Sequence, residues 1–428
     1  MSGLVTHSAE IERLVRTDYR RTDLDRLEAF LIERGVLQFR PLESGLYSAV
    51  QTETTASGYQ NVWVRDNVFV AHAHAANGRT EVAVAVVRAL TKYFLKHLHR
   101  FDGIISGSVD RNDPMQRVNV RFDGDTLEEL PQKWAHAQND ALGYFVWLFC
   151  TVASERAFAV SGDDLALMER FLGYFQAIRF WQDGDNGHWE ETRKVEASSI
   201  GVVTGGLNTL QAMLRGVDGL SQAFGSARIE NNIRLAADLG ERGKQALDKI
   251  LPAECVQPDK SRRYDSALLF LIYPIGVVDQ PMADRIVGDV VGHLQGEIGV
   301  RRYIGDSYWC ADYRELFPPQ ERSGDFSDEM GRRDRLLRPG QEAQWCIFDS
   351  IVSAIYGNRY LRFRQAPDME RQIAYFNRGL GQITGALRCP EAYFLERGQY
   401  APNDNVPLLW TEANLWLALS VMKRTAPS

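Results

Sequence analysis

Apolar residues recur along this chain at the three- and four-residue spacing of a helix, and the alternating runs that mark strands are hard to find. Over 24–34, Leu24, Leu27 and Leu31 share one face, with Thr22 placed to cap the start and Gly35 to end the helix. A stretch over 65–77 is followed by 80–98, where Val82, Val86, Leu90 and Tyr93 form a stripe with Lys92 and Lys96 off it. Together these predict a helical hairpin. The same rhythm predicts helices over 136–154 with 162–182, 197–217 with 226–251, 263–273 with 280–297, 341–357 with 367–388, and a last one over 407–424 that takes the first as its partner.

Two of these segments, Gly143 to Cys150 and Ala267 to Tyr273, are apolar almost all round, whereas 226–251 and 367–388 carry polar faces. The former read as inner helices and the latter as outer ones, so six inner and six outer helices in alternation predict an all-α closed double ring. Periodicity alone equally permits a solenoid of helix pairs, but no repeat of fixed period supports one. The least helical stretch, 317–340, is rich in Asp, Glu, Arg, Pro and Gly, and a connection that long is expected to be a mobile flap or a binding loop.

With 428 residues and 45% apolar content the chain can bury a large core, and it is expected to form a single domain over 1–428 with 317–340 as an insertion or loop. A net charge of −7 without a basic stripe argues against a nucleic-acid partner. The start lacks the basic-then-apolar order of a secretory signal, and no apolar run reaches the length that spans a bilayer, so the expectation is a cytoplasmic protein with no membrane contact. Cys150, Cys255, Cys310, Cys346 and Cys389 are scattered without a C-x-x-C pair and are expected to be buried thiols.

Clusters of Trp, Arg and carboxylates stand in front of the proposed inner helices, a placement that would gather them at one end of a double ring. They are Trp63-Val-Arg65-Asp66, Trp134-Ala-His-Ala-Gln138-Asn139-Asp140, Trp189-Glu190-Glu191, Arg302-Tyr303 with Asp306-Ser307-Tyr308, Glu342-Ala-Gln-Trp345, and Glu391-Ala-Tyr393. Sugars call for this mixture, because pyranose faces stack on Trp or Tyr while the hydroxyl rim needs paired donors and acceptors. Each cluster alone also has a plainer reading, as core packing, a helix cap or a solvated loop.

Glycoside hydrolysis needs two carboxyl groups in different protonation states, and Glu190 and Glu391 are the candidates. Trp189 could supply the apolar wall and Glu191 the negative charge that keep an acid at Glu190 protonated near neutrality, and Tyr393 the polar company for Glu391. The chain has no G-x-G-x-x-G after a strand, no G-x-x-x-x-G-K-[ST], no H-E-x-x-H and no G-x-S-x-G. His72 with His74, and His97 with His99, are two residues apart, which on a helix puts each pair on different sides. Gly205-Gly206 reads as a close-packing site rather than a phosphate cradle.

From about Tyr59 to Leu419 the chain resembles the glucoamylase-type glycoside hydrolases of family 15 and the related α and β regulatory subunits of phosphorylase kinase. Tyr59-Gln-Asn-Val-Trp-Val-Arg-Asp-Asn-Val68 is close to the kinase-subunit wording, as is Ala197-Ser-Ser-Ile-Gly201. The resemblance implies an (α/α)6 barrel, a pocket for the non-reducing glucose held by Trp63, Arg65 and Asp66, and no cofactor. It places Trp134, Gln138 and Asp140 beside the acid, Glu190 at the general acid, and Glu191 at a contact to the second sugar. Arg302 and Tyr303 fall at the pocket, and Glu391 at the general base of the Glu-x-Tyr motif that ends in Tyr393.

The implied activity is inverting hydrolysis of an α-glucan or oligosaccharide, with inversion calling for carboxyls roughly 6.5–9.5 Å apart. Two rivals stand beside it. One is a non-catalytic glucan-binding regulatory protein with a protein partner, related to the kinase subunits. The other is a trehalase or isomalto-oligosaccharide hydrolase on the same barrel. The starch-binding module and secretion signal of fungal glucoamylases, and the C-terminal extension and prenylation motif of the kinase subunits, have no counterpart in this sequence.

Overall fold

A computed structural model describes residues 4–51, 58–255, 257, 262–335 and 337–427. Its helices are α1 (Ala9–Glu12), α2 (Arg21–Glu33), α3 (Val64–Ala76), α4 (Thr80–Lys96), α5 (Leu98–Ser106), α6 (Asn139–Ser154), α7 (Gly162–Ile178), α8 (Ala197–Gly216), α9 (Leu220–Phe224) and α10 (Ser226–Ile250). After a 3-10 helix over Ser266–Leu271 come α11 (Gln280–His293), α12 (Tyr313–Leu316), α13 (Gly331–Asp334), α14 (Phe348–Phe363), α15 (Ala366–Gly381) and α16 (Leu409–Thr425).

The inner ring closes. Helix α3 packs on α6, α6 on α8, α8 on the 3-10 helix, the 3-10 helix on α14, α14 on α16, and α16 back on α3. Outside it, α4 covers α3, α10 covers α8, α11 covers the 3-10 helix, α15 covers α14 and α2 covers α16, which makes an (α/α)6 barrel. The burial pattern explains the layering. In α6 only Thr151 and Ser154 are not buried, whereas in α10 the buried positions reduce to a stripe through Ile229, Ala236, Leu239, Gly243 and Leu247.

Close approach of α6 and α8 depends on two glycines. A Cβ on Gly206 would lie 2.7 Å from the Gly143 carbonyl oxygen, and one on Gly143 would lie 2.8 Å from the Val203 backbone. Gly205-Gly206 is therefore a packing feature. The barrel axis is filled by rings: Phe69 lies 5.2 Å from Tyr144, 5.3 Å from Phe270 and 5.4 Å from Trp410, and Phe270 lies 5.9 Å from Phe348.

Three expectations needed correction. The helix expected over 263–273 is a single 3-10 segment, capped by Asp265 onto the Ala267 amide and cut short by Pro274, which has no N–H to continue it. The expected 341–357 helix starts only at Phe348, because Gln344–Trp345 pairs as a strand with Tyr393 and Ala392. The partner expected for 136–154 packs mainly on the unforeseen helix α5, touching α6 through Phe171 against Phe145.

Short strands do occur. Val62–Trp63 pairs with Arg121–Phe122, and a second small sheet joins Gln344–Trp345, Ala392–Glu396 and Gln399–Pro402. The two-residue strands are too brief to show a period of two in the sequence, and Ala392–Glu396 is buried over its first three residues rather than on alternate ones. All five cysteines are buried thiols outside any disulfide, and no helix among the described residues is long and apolar enough to cross a membrane.

Candidate active site

The inner helices all run the same way, so the loops before their first turns meet at one end of the ring. Trp63 precedes α3, Trp134 precedes α6, Trp189 and Glu190 precede α8, Trp345 precedes α14 and Leu408 precedes α16, and all six line one pocket. Asp66, Asp140, Asp349 and Glu412 occupy first turns there, where the positive ends of the helix dipoles favour negative charge. The axial rings supply the floor, since Trp410 and His188 reach the pocket and both pack on Phe270.

Glu190 and Glu391 face this same pocket with unlike partners. Glu190 sits in left-handed backbone at φ 57°, a costly conformation for a non-glycine residue that tight surroundings must impose. Its Oε1 accepts from Trp63 Nε1 at 2.9 Å and from Arg65 Nη2 at 3.1 Å, and among the described residues no hydrogen bond reaches Oε2. Burial raises its pKa, opposed by Arg65, Arg121 and the Trp63 N–H.

Four donors converge on Glu391. Oε1 accepts from Tyr59 Oη at 3.1 Å, and Oε2 from Asn403 at 2.5 Å, Asn405 at 2.8 Å and Tyr308 Oη at 3.4 Å. Burial again raises the pKa, and the two amides and the Tyr59 hydroxyl pull it back by favouring the carboxylate.

Arg65 ties the wall together, donating from Nη1 to Asp140 at 2.7 Å and Gln138 at 3.1 Å. Burial works against its charge, but Asp140, Glu190 and Asp66 outweigh burial and hold its pKa above the ordinary value. Asp66 lines the pocket, and no described side chain donates a hydrogen bond to it. Burial pushes its pKa up to about 7, with Arg65 opposing and Glu190 and Glu391 adding to the rise. This free acceptor suits a ligand's hydroxyls.

Five of the expected site residues lie behind the pocket wall. Gln138 and Asp140 serve Arg65 from behind. Glu191 is withdrawn into a buried ion network: Oε1 accepts from Arg302 at 2.9 Å and from Arg333, and Oε2 accepts from Tyr303 at 2.6 Å and Arg262 at 3.2 Å. Burial alone would raise its pKa, but Arg302, Arg333, Arg262 and the Tyr303 hydroxyl bring it down to about 2. Tyr303 is thus occupied as well. Tyr393 lies apart, stacked on His7 at 4.3 Å with its hydroxyl on the Gln382 carbonyl, so the polar company of Glu391 comes from elsewhere.

Trp63, Arg65, Asp66, Trp134, Trp189, Arg302 and Trp345 do meet at the pocket. Arg302 is clamped by Asp306 at 2.6 Å and lies about equally close to the rings of Trp189, Trp345 and Tyr308, at 5.1, 5.1 and 5.0 Å. Sequence reasoning missed the roles of Tyr59, Tyr308, Asn403 and Asn405. Tyr59 and Tyr308 stood inside motifs singled out there, but nothing local marks Asn403 or Asn405. The polar segment, expected as a mobile flap or a binding loop, brings Ser323, Gly324, Asp325, Phe326 and Arg333 to the pocket wall. Of that segment all but residue 336 is described.

One set of metal-type ligands comes together among the described residues, away from the pocket. The rings of His97 and His99 are 5.9 Å apart, because α4 ends at Lys96 and His97 leaves helical geometry, so the expectation that a helix puts the two on different sides fails there. With Glu129 they form a compact trio, but Arg100 already binds both Glu129 oxygens at 2.8 and 2.6 Å.

The sequence model of the glycosyl hydrolases family 15 matches residues 31–251, just over half of the chain. The liver isoform of the phosphorylase b kinase regulatory subunit alpha from Takifugu rubripes is 21% identical over 301 residues, 66% of this chain and 24% of that protein. The probable phosphorylase b kinase regulatory subunit alpha of Caenorhabditis elegans is 24% identical over 274 residues, 58% of this chain and 21% of that protein. The chain thus spans about a quarter of the length of these relatives. Among solved structures, a wild-type glycosidase superposes with a TM-score of 0.68 at 18% identity over 95% of this chain and 99% of that one. The glucoamylase of Saccharomycopsis fibuligera superposes with a TM-score of 0.59 at 13% identity over 99% and 98%.

Proposed function

We propose that this chain, which belongs to the glycosyl hydrolases family 15, is an inverting α-glucoside hydrolase that releases glucose from the non-reducing end of malto-oligosaccharides or glycogen-type α-glucans. Glu190 is the general acid and Glu391 the general base. One observation carries the reading: a buried carboxyl and a half-buried one face one pocket, the buried Glu391 surrounded by four donors and Glu190 with a single oxygen engaged.

The terminal glucose sits against Trp63 and Trp410, with its hydroxyls donating to Asp66 and accepting from Arg65 and Arg302. Glu190 gives the proton on Oε2 to the glycosidic oxygen as the bond to the anomeric carbon breaks. Glu391 takes a proton from water, whose oxygen bonds to the anomeric carbon from the opposite face and releases β-glucose. The cycle leaves Glu190 ionised and Glu391 protonated, and exchange with solvent restores both. The helix N-termini and the rigid donors around Glu391 are in place beforehand, which is where electrostatic assistance is strongest.

A regulatory reading is favoured by the names of the kinase-subunit relatives, and would have the same pocket bind glucan without turnover. Glucose release is to be followed from maltose, maltoheptaose, isomaltose, trehalose and glycogen, with the anomer identified, for the native protein, Glu190→Gln and Glu391→Gln. The hydrolase reading expects β-glucose, lost by at least about a thousandfold in both variants while glucose binding persists. Binding without release from any sugar would replace it with the regulatory reading, and release chiefly from trehalose or isomaltose would reassign the linkage.

A further inference from the structure

Residues 318–334 cross the pocket from the side of one carboxyl to the side of the other, and they are pinned at both. Near Glu391, Arg322 Nη1 donates to Asp404 Oδ2 at 2.7 Å, and Asp404 stands between Asn403 and Asn405, the two amides that hold Glu391. Near Glu190, Thr192 Oγ1 donates to the Ser327 carbonyl at 3.1 Å. On that side Lys133, beside Trp134, pairs with Asp325 at 3.6 Å and with Asp328. Between these anchors Ser323, Gly324, Asp325 and Phe326 form part of the pocket wall.

The inner end is held as well, by Arg333 on Ser307 Oγ at 3.0 Å and on Glu191. With four donors on its two oxygens, Glu191 has no acceptor capacity left for a second sugar. What a leaving group meets instead is the crossing segment, which shares the pocket wall with Trp134.

We infer that the pinned segment 318–334 selects by chain length, so that the pocket takes short α-glucosides such as maltose and maltotriose in preference to long glucan chains. A short leaving group fits under the crossing, whereas a long chain must push it aside and break the ion pairs of Lys133 and Arg322. The inference rests on the hydrolase reading for its kinetic form, but the selection itself is a matter of binding.

The test compares kcat/KM for maltose, maltotriose, maltoheptaose and glycogen in the native protein and in Lys133→Ala/Arg322→Ala, neither of which lies in the pocket wall. The native protein is expected to prefer maltose to maltoheptaose by about tenfold or more, and the double variant to narrow that ratio by about threefold or more with the Kd for glucose unchanged. Should the double variant not fold, Thr192→Val reads the same ratio. Equal or better use of maltoheptaose by the native protein, or variants that change every substrate alike, overturns the inference. Calorimetric Kd values for the same sugars, measured on the native protein and on Glu190→Gln, separate this from failure of the hydrolase reading. If no sugar is cleaved, tighter maltose than maltoheptaose binding upholds length selection, and the reverse order overturns it.

Discussion

Trp63 and Glu190, 127 positions apart in the chain, are joined by a hydrogen bond of 2.9 Å from the indole Nε1 to Oε1. The bond fixes which oxygen of the proposed acid is engaged and which faces the pocket unencumbered. Because the N–H favours the carboxylate, Trp63→Phe keeps an aromatic ring in the pocket wall, though a smaller one, and removes that stabilisation, so the pKa of Glu190 rises further. An acid works while protonated, so the alkaline limb of kcat/KM is expected to move to higher pH, with a loss of no more than about tenfold at the optimum. A pH–rate profile of the variant checks it, and an unmoved alkaline limb would detach Glu190 from the acid role.

Asp66 provides a test with opposite effects on stability and binding. Its pKa is raised from 3.8 to about 7, so the folded protein holds a proton that the unfolded chain has released, and stability declines as pH rises through that window. Asp66→Asn is expected to be more stable than the native protein above pH 7, by about 1–3 kcal/mol, and equal to it near pH 4. Its glucose affinity should fall by about a hundredfold, and native affinity should weaken as pH drops below about 7 because a protonated carboxyl accepts less. Denaturant melts and calorimetry across pH read both.

Glu191 behaves in the opposite sense. Its pKa is lowered from 4.5 to about 2, so its contribution to stability is complete above pH 4.5 and disappears as pH falls through about 2. Glu191→Gln leaves Arg262, Arg302 and Arg333 with one negative charge fewer, at an expected cost on the order of 3 kcal/mol at neutral pH that shrinks on acidification. Chemical denaturation at pH 7 and pH 3 measures the difference.

Two glycines in helices should respond differently to alanine. Gly206→Ala drives a methyl against the Gly143 carbonyl and should destabilise by about 3 kcal/mol. Gly288→Ala, within α11 with nothing in the way of its Cβ, should stabilise by about 0.5–1 kcal/mol through helix propensity. Thermal melts of the two variants separate packing from propensity.

Much of the architecture is written in local pattern. A helix that is apolar all round, like α6, has to be enclosed, and one with a single stripe, like α10, has to lie outside, so the double ring follows from where Phe145 and Leu239 fall relative to their neighbours. The strands were illegible because Val62–Trp63 and Gln344–Trp345 are each too short to carry a period. The His97–His99 approach escaped notice because it depends on a helix break, which no capping signal announces.

What the sequence alone determined is the helical layering and the set of aromatic and charged clusters that precede the inner helices, since both depend on spacing along one segment. Only the tertiary structure decided which clusters face the pocket and which stand behind it. Adjacent Glu190 and Glu191 end in different worlds, one at the pocket and one in a buried web of arginines, because left-handed backbone at Glu190 turns the chain between them. Likewise Asn403, Asn405 and Tyr308 gather on Glu391 across 12, 14 and 83 positions, and hydrogen bonds between such distant segments leave no periodic or local trace in a sequence.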